Sequence, residues 1–175
     1  ELVEVLRRNV THTTVPLDTE GAVPLHVHAR YTRREIQAAF GDGSGQIPPR
    51  WDSGVKWLAD QQVDLFAFTL DKTTGDFSPT TRYRDYAISR DLIHWESQSA
   101  TSIASPTGQR YLNHAALGTK VVLFARLRAD DRSFWCLGPA RHVSHEGERP
   151  IAITWRLDHR LPADLFTQFA AAAVA

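Results

Sequence analysis

The sequence predicts an α+β domain that is β-rich, with a curled antiparallel sheet or open pseudo-barrel and short flanking helices. Three observations predict it. Residues 120–127, 133–137 and 151–157 follow one another as strand-like segments, and Ile151-Ala152-Ile153-Thr154-Trp155-Arg156-Leu157 alternates strictly enough to mark one buried face. The helix signals are short and lie at the flanks. Nothing in the order of elements resembles a βαβ nucleotide-binding unit, so consecutive antiparallel strands closing into a curl are the remaining architecture.

Taken along the chain, Glu1 to Asn9 reads as the end of a helix inherited from a preceding domain, and Thr11 to Pro24 as a linker with turn residues. Residues 1–23 are therefore set apart from a single α+β domain over residues 24–175. In Tyr31 to Gly41, Thr32 and Glu35 form a capping box, Ile36, Ala39 and Phe40 make one apolar face, and Gly41 supplies the stop. A Gly/Pro-rich loop follows, then Val55-Lys56-Trp57-Leu58 and the apolar run Val63 to Leu70, both read as strand. Tyr83 to Ile88 is a strand or an extended loop, and Ser89 to Trp95 a capped helical turn. Lys120 to Leu127 and Ser133 to Leu137 form a hairpin around Asp130-Asp131-Arg132. Gly138-Pro139 breaks its second strand, which resumes over Ala140 to Ser144. Leu161 to Phe166 starts a last helix, with Ala170 to Ala175 fraying.

A chain of 175 residues can bury a real core, and its length favours one domain over two. Its longest apolar stretches are too short for a membrane span or a secretory signal, which predicts a cytoplasmic protein without a membrane partner. The absence of Met, even at position 1, suggests a piece of a longer protein. The lone Cys136 excludes an internal disulfide and the common structural zinc patterns, and its setting in Ser133-Phe134-Trp135-Cys136-Leu137 suits an inert buried thiol. Formal charge is zero, yet residues 82–128 carry seven Lys and Arg against three Asp and Glu. A basic middle third suits a polyanion-facing surface.

The chain contains no P-loop, dinucleotide glycine fingerprint or Ser nucleophile elbow, which argues against those ATPase and hydrolase classes. Among the histidines, His142, His145 and Glu146 have metal-ligating chemistry, but their spacing matches no zinc motif, and neither metal nor cofactor is expected. Arg82-Tyr83-Arg84 interleaves guanidinium groups with rings, as a phosphate clamp with stacking surfaces would. Of the five tryptophans, Trp135 and Trp155 fall in strand patterns and belong to the core, whereas Trp95 adjoins the long polar run Glu96 to His114.

That run, read as one aperiodic loop, is the expected recognition surface. Trp95 or Tyr111 would stack on a base or modified group, Ser99, Thr107, Gln109 and Asn113 would supply hydrogen bonds, and Arg110 and His114 complete the set. The same residue types equally suit an ordered surface connection.

Tyr31-Thr32-Arg33-Arg34-Glu35-Ile36, Asp76-Phe77-Ser78-Pro79-Thr80-Thr81, Asp85-Tyr86-Ala87-Ile88-Ser89, His94-Trp95-Glu96-Ser97-Gln98-Ser99, Ser105-Pro106-Thr107-Gly108-Gln109-Arg110-Tyr111, Leu137-Gly138-Pro139-Ala140 and Val143-Ser144-His145-Glu146-Gly147 appear in this order. Together, over about residues 24 to 165, they resemble the uncharacterised domain that ends many bacterial superfamily-two helicases. Several of these carry a phospholipase-D-type nuclease domain and are similar to restriction and defence proteins. The resemblance implies a DNA-handling context whose motor and nuclease lie elsewhere in the parent chain, and it transfers no catalytic residue. The expected function is a noncatalytic DNA-binding module, sensing plain DNA or DNA modified at the base or by phosphorothioate. The alternative is a protein-interaction or autoinhibitory domain docking on its own helicase, for which exposed apolar surface would be required.

Overall fold

The computed structural model describes residues 14–18, 23–41, 50–71 and 85–174. In chain order the elements are β1 (Val15–Pro16), β2 (His26–Val27), β3 (Arg30–Thr32), α1 (Arg33–Phe40), β4 (Val55–Leu58), β5 (Val63–Asp71), β6 (Tyr86–Ala87), β7 (Leu92–Glu96), α2 (Pro106–Leu117), β8 (Lys120–Arg128), β9 (Ser133–Glu146), β10 (Ala152–Leu157) and α3 (Ala163–Val174). The expected helix at residues 1–9 and the Arg82-Tyr83-Arg84 segment lie outside the described residues.

One eight-stranded sheet runs β4-β5-β8-β9-β10-β7-β6, with β3 pairing β9 off this path, while β1 and β2 form a separate ribbon. The α+β class holds, and no closed barrel forms among the described residues. The sheet is mixed, however: β5 and β8 run parallel, Val63 opposite Lys120 and Phe66 opposite Leu123. Such a pair needs a long crossover, and β6, β7 and α2 all lie within it.

The curl originates in β9. Its first half pairs β3 and β8 and its second half β10. The register shifts twice, between Leu123 and Phe124 on β8 and between Thr154 and Trp155 on β10, and bulges of this kind bend a strand and sharpen its twist. Gly138 lies at the first shift with φ +86°, and a Cβ there would stand 2.9 Å from Val27 Cγ2. The Gly138-Pro139 pair therefore bends β9 where the sequence suggested a break.

The sheet separates two cores. Along β5, Phe66, Phe68 and Leu70 face one core with Tyr111 of α2 and Leu165 and Phe169 of α3. Val63, Leu65 and Ala67 face the other, with Ile36 and Phe40 of α1 and Val27 of β2. Both faces being covered explains why the run is apolar on both faces, Asp64 and Thr69 apart. The capping box of α1 is present: Glu35 N–H donates to Thr32 Oγ1 at 3.3 Å and Thr32 N–H to Glu35 Oε2 at 2.7 Å.

Two local expectations change. Ser89 to Trp95 contains no helical turn, since a bend over residues 88–91 leads into β7. The polar run is no single loop, because α2 begins in its middle. Ser105 caps that helix, accepting from Gly108 N–H at 3.0 Å, Pro106 opens it, and Gly118 closes it in the left-handed region at φ +70°. Ser followed by Pro is a helix-start signature, and Tyr111 and His114 form the buried side three residues apart.

Candidate functional site

Asp64 is the point from which the site is built. Alternation along β5 places it on the same face as Phe66, at the edge of the core beneath α2, with its side chain wholly buried. A carboxylate there requires a partner. Arg110, reaching from α2, supplies it with two bonds: Nε donates to Oδ2 at 2.6 Å and Nη2 to Oδ1 at 2.9 Å. Trp57 lies directly opposite Asp64 on β4, and the Arg110 guanidinium stacks 4.1 Å above its ring. Arg110, 18% exposed, is thus held by a forked ion pair and an aromatic plane together.

Burial pushes the Asp64 carboxyl above its ordinary range, opposed by the hydrogen bonds and charge of Arg110 and by His114. The same bonds raise Arg110, so it is a permanent cation. Burial likewise raises the Tyr111 phenol far above its usual value.

Beside this pair lies a cavity of about 260 Å³. Val55, Trp57, Trp95 and Tyr111 form apolar walls, and Gln98, Thr101 and Thr107 add polar groups. The walls are fixed from behind by Phe66, whose ring lies 4.7 Å from Trp95, 5.0 Å from Tyr111 and 5.4 Å from Trp155. The rim segment, residues 97–105, is tied to the β9–β10 turn. Ile151 N–H donates to the buried Ser97 Oγ at 2.9 Å, Ile103 N–H to Glu148 O at 3.1 Å and Arg149 Nε to Ser99 O at 2.6 Å. It also packs hard on α2, since a Cβ at Gly108 would come within 2.1 Å of Ser102 O.

Of the residues expected from sequence, Trp95, Thr107, Arg110 and Tyr111 meet at this cavity. Trp95 and Tyr111 are core residues, 4% and 3% exposed, that nevertheless line it. Ser99, Gln109, Asn113 and His114 do not line it. Gln109 Nε2 donates to Ile103 O and Asn113 Nδ2 to Gln109 Oε1, so their amides stabilise their own helix and loop. His114 points to β9 and to a second, wider hollow of about 600 Å³ that it lines with Thr119, Arg141 and Asp158. Sequence reasoning missed Asp64 and the role of Trp57. The available signal was a single charge inside an apolar strand, which demands a buried counter-ion.

The histidines form a chain of contacts. The bulge at Val143 brings His142 and His145 to one face, their Nε2 and Nδ1 3.1 Å apart. The His142 amide donates to His114 Nε2 at 3.1 Å, which requires that nitrogen to be unprotonated. Burial lowers the pKa of His114, against a backbone bond to Thr119, and burial followed by His145 and His114 lowers that of His142. Among the described residues no three His, Cys, Asp or Glu side chains group to hold a metal ion. The Cys136 thiol is buried and pushed up to about 12. No described helix is long and apolar enough to cross a membrane.

A family model described as a domain of unknown function, DUF3427, matches residues 25–169. No curated protein matches the chain. Among solved structures, a crystal structure of KRYPTONITE in complex with mCHH DNA, an H3(1–15) peptide and SAH is similar at 9% identity and a TM-score of 0.48, covering 92% of this chain. The chain spans 37% of that protein's length.

Proposed function

The chain belongs to the DUF3427 family of domains of unknown function, and from the geometry of its site we propose that it is a DNA-binding module without catalytic chemistry of its own. In this reading it serves a bacterial helicase or nuclease of the restriction or defence type and senses plain DNA or DNA modified at the base or backbone. The observation that carries the reading is the Arg110 guanidinium, stacked on Trp57 and locked by Asp64 at the mouth of an aromatic-walled cavity. Nucleic-acid sites combine these two groups, a cation for the backbone or a base edge and flat rings for base faces. Trp57, Trp95, Thr107, Arg110 and Tyr111 would form the contact itself. Ser99, Gln109, Asn113 and His114 would hold the rim and helix in place, and Arg82, Tyr83 and Arg84 would add backbone contacts.

Fluorescence polarisation of the chain with plain, base-modified and phosphorothioate duplexes across a salt series tests the reading. Each phosphate contact lowers log K by roughly 0.9 per unit of log salt concentration. Binding with a slope of several units is expected, flattened by about one unit on Arg82→Ala or Arg84→Ala. Affinity that ignores salt, or no binding at low salt, would refute it.

A further inference from the structure

Asp64 and Arg110 also specify what the neighbouring cavity accepts. We infer that, given the DNA-binding reading above, it receives one neutral, planar heterocycle: a nucleobase turned out of the duplex stack, and not a phosphate or phosphorothioate of the backbone.

Charge decides first. The positive charge of Arg110 is already matched by the wholly buried carboxylate of Asp64, which takes both Nε and Nη2. An anion entering the cavity would compete with that carboxylate for one guanidinium, and the loser would be a desolvated charge without a partner. A neutral ring meets no such penalty. Shape agrees, because Val55, Trp57, Trp95 and Tyr111 give the cavity apolar walls, which suit a ring and leave most oxygens of a phosphate without donors. The volume of about 260 Å³ falls just below the roughly 300–1,000 Å³ of drug-sized ligand sites, room for one ring system and not for a dinucleotide cofactor.

The polar groups then read an edge. A guanidinium has five N–H donors, two of which are engaged with Asp64, leaving donors for a ring nitrogen or carbonyl. The Gln98 amide offers both a donor and an acceptor, and Thr101 and Thr107 add hydroxyls. Asp64, with no exposed surface, acts as a positioning residue that fixes Arg110. In a duplex a base hides its faces in the stack and its edge in pairing, so it reaches such a cavity only by leaving the helix.

The test compares a matched duplex with the same duplex carrying one mismatch, since a mismatched base is cheaper to extrude. The chain is titrated with each by fluorescence polarisation, with free nucleosides as a third arm. Mismatched DNA is expected to bind at least tenfold more tightly. Trp57→Ala should abolish that preference, and Gln98→Ala should reduce it in a variant whose folding is not at risk. Equal affinity for both duplexes, or a preference that survives Trp57→Ala, overturns the base-binding cavity and leaves DNA binding intact. No binding to any duplex or nucleoside at low salt overturns both readings. Saturable binding of a nucleoside without duplex binding would keep the heterocycle and overturn DNA as its source.

Discussion

Replacing Arg110 with Gln should destabilise the fold far more than loss of a surface ion pair. The Asp64 side chain is wholly buried and receives both of its charged hydrogen bonds from Arg110. An exposed pair contributes about 0.2–1 kcal/mol. Removing one partner of a buried pair instead strands a desolvated charge, at about 3–5 kcal/mol, and the lost stack on Trp57 adds roughly 0.5–1 kcal/mol. For a chain of this length each kcal/mol moves Tm by about 2–4 °C, so a fall of roughly 7–24 °C is expected. The deficit should shrink in acid. Asp64 already titrates above its ordinary range through burial, and losing Arg110 pushes it further in that direction. A carboxyl raised in the folded state favours folding at low pH, and that advantage is lost as pH rises through its folded pKa. The gap between wild type and variant should therefore be narrower at pH 5 than at pH 7. Asp64→Asn in the Arg110→Gln background should recover more than half the loss, giving a large coupling energy in the double-mutant cycle. Urea unfolding of the four proteins at both pH values measures all of this. A single-variant loss below about 1 kcal/mol, or a double variant no more stable than Arg110→Gln, would refute the assignment of a buried, mutually dependent pair.

Two further outcomes follow from the same region. Gly108→Ala drives a Cβ against the Ser102 carbonyl, 2.1 Å away; the resulting overpacking should lower stability by about 1–3 kcal/mol and speed amide exchange across residues 98–105, and unchanged Tm and exchange would contradict the packing described. His114 accepts the His142 amide through Nε2 and has a pKa lowered from 6.5 by burial. A base depressed in the folded state contributes stability that is present above its unfolded pKa and lost as pH falls through the folded one. Thermal stability should thus decline below about pH 6.5, and His114→Asn should flatten that decline in a series of melts.

How much could be read before the fold was known differs by element. The α1 capping box and the alternation of β10 are written in residues three or two apart, and they appear where expected. The start of α2 is equally local, Ser105-Pro106 with Gly118 at the end. The abundance of Ser, Thr, Gln and Asn masked it, because such side chains suggested ligand contacts, whereas Ser105 caps the helix and Gln109 and Asn113 tie it to its own loop. The burial of Trp95 and Tyr111 was hidden for a different reason. Each adjoins the polar run in sequence, and the residues that enclose them, Phe66 of β5 among them, come from elsewhere in the chain.

By itself the sequence determined the α+β class, the short capped helix and the alternating strands, since backbone periodicity and capping depend on residues within one turn or one pleat. Tertiary structure alone decided that β9 continues through Gly138-Pro139, that β5 and β8 run parallel, and that Asp64 finds Arg110 across 46 positions of sequence with Trp57 beneath it. A side-chain period states which face a residue occupies. What lies opposite that face is set by how the strands pair and where the crossover lays α2, and a buried carboxylate reveals its partner only once that crossing is made.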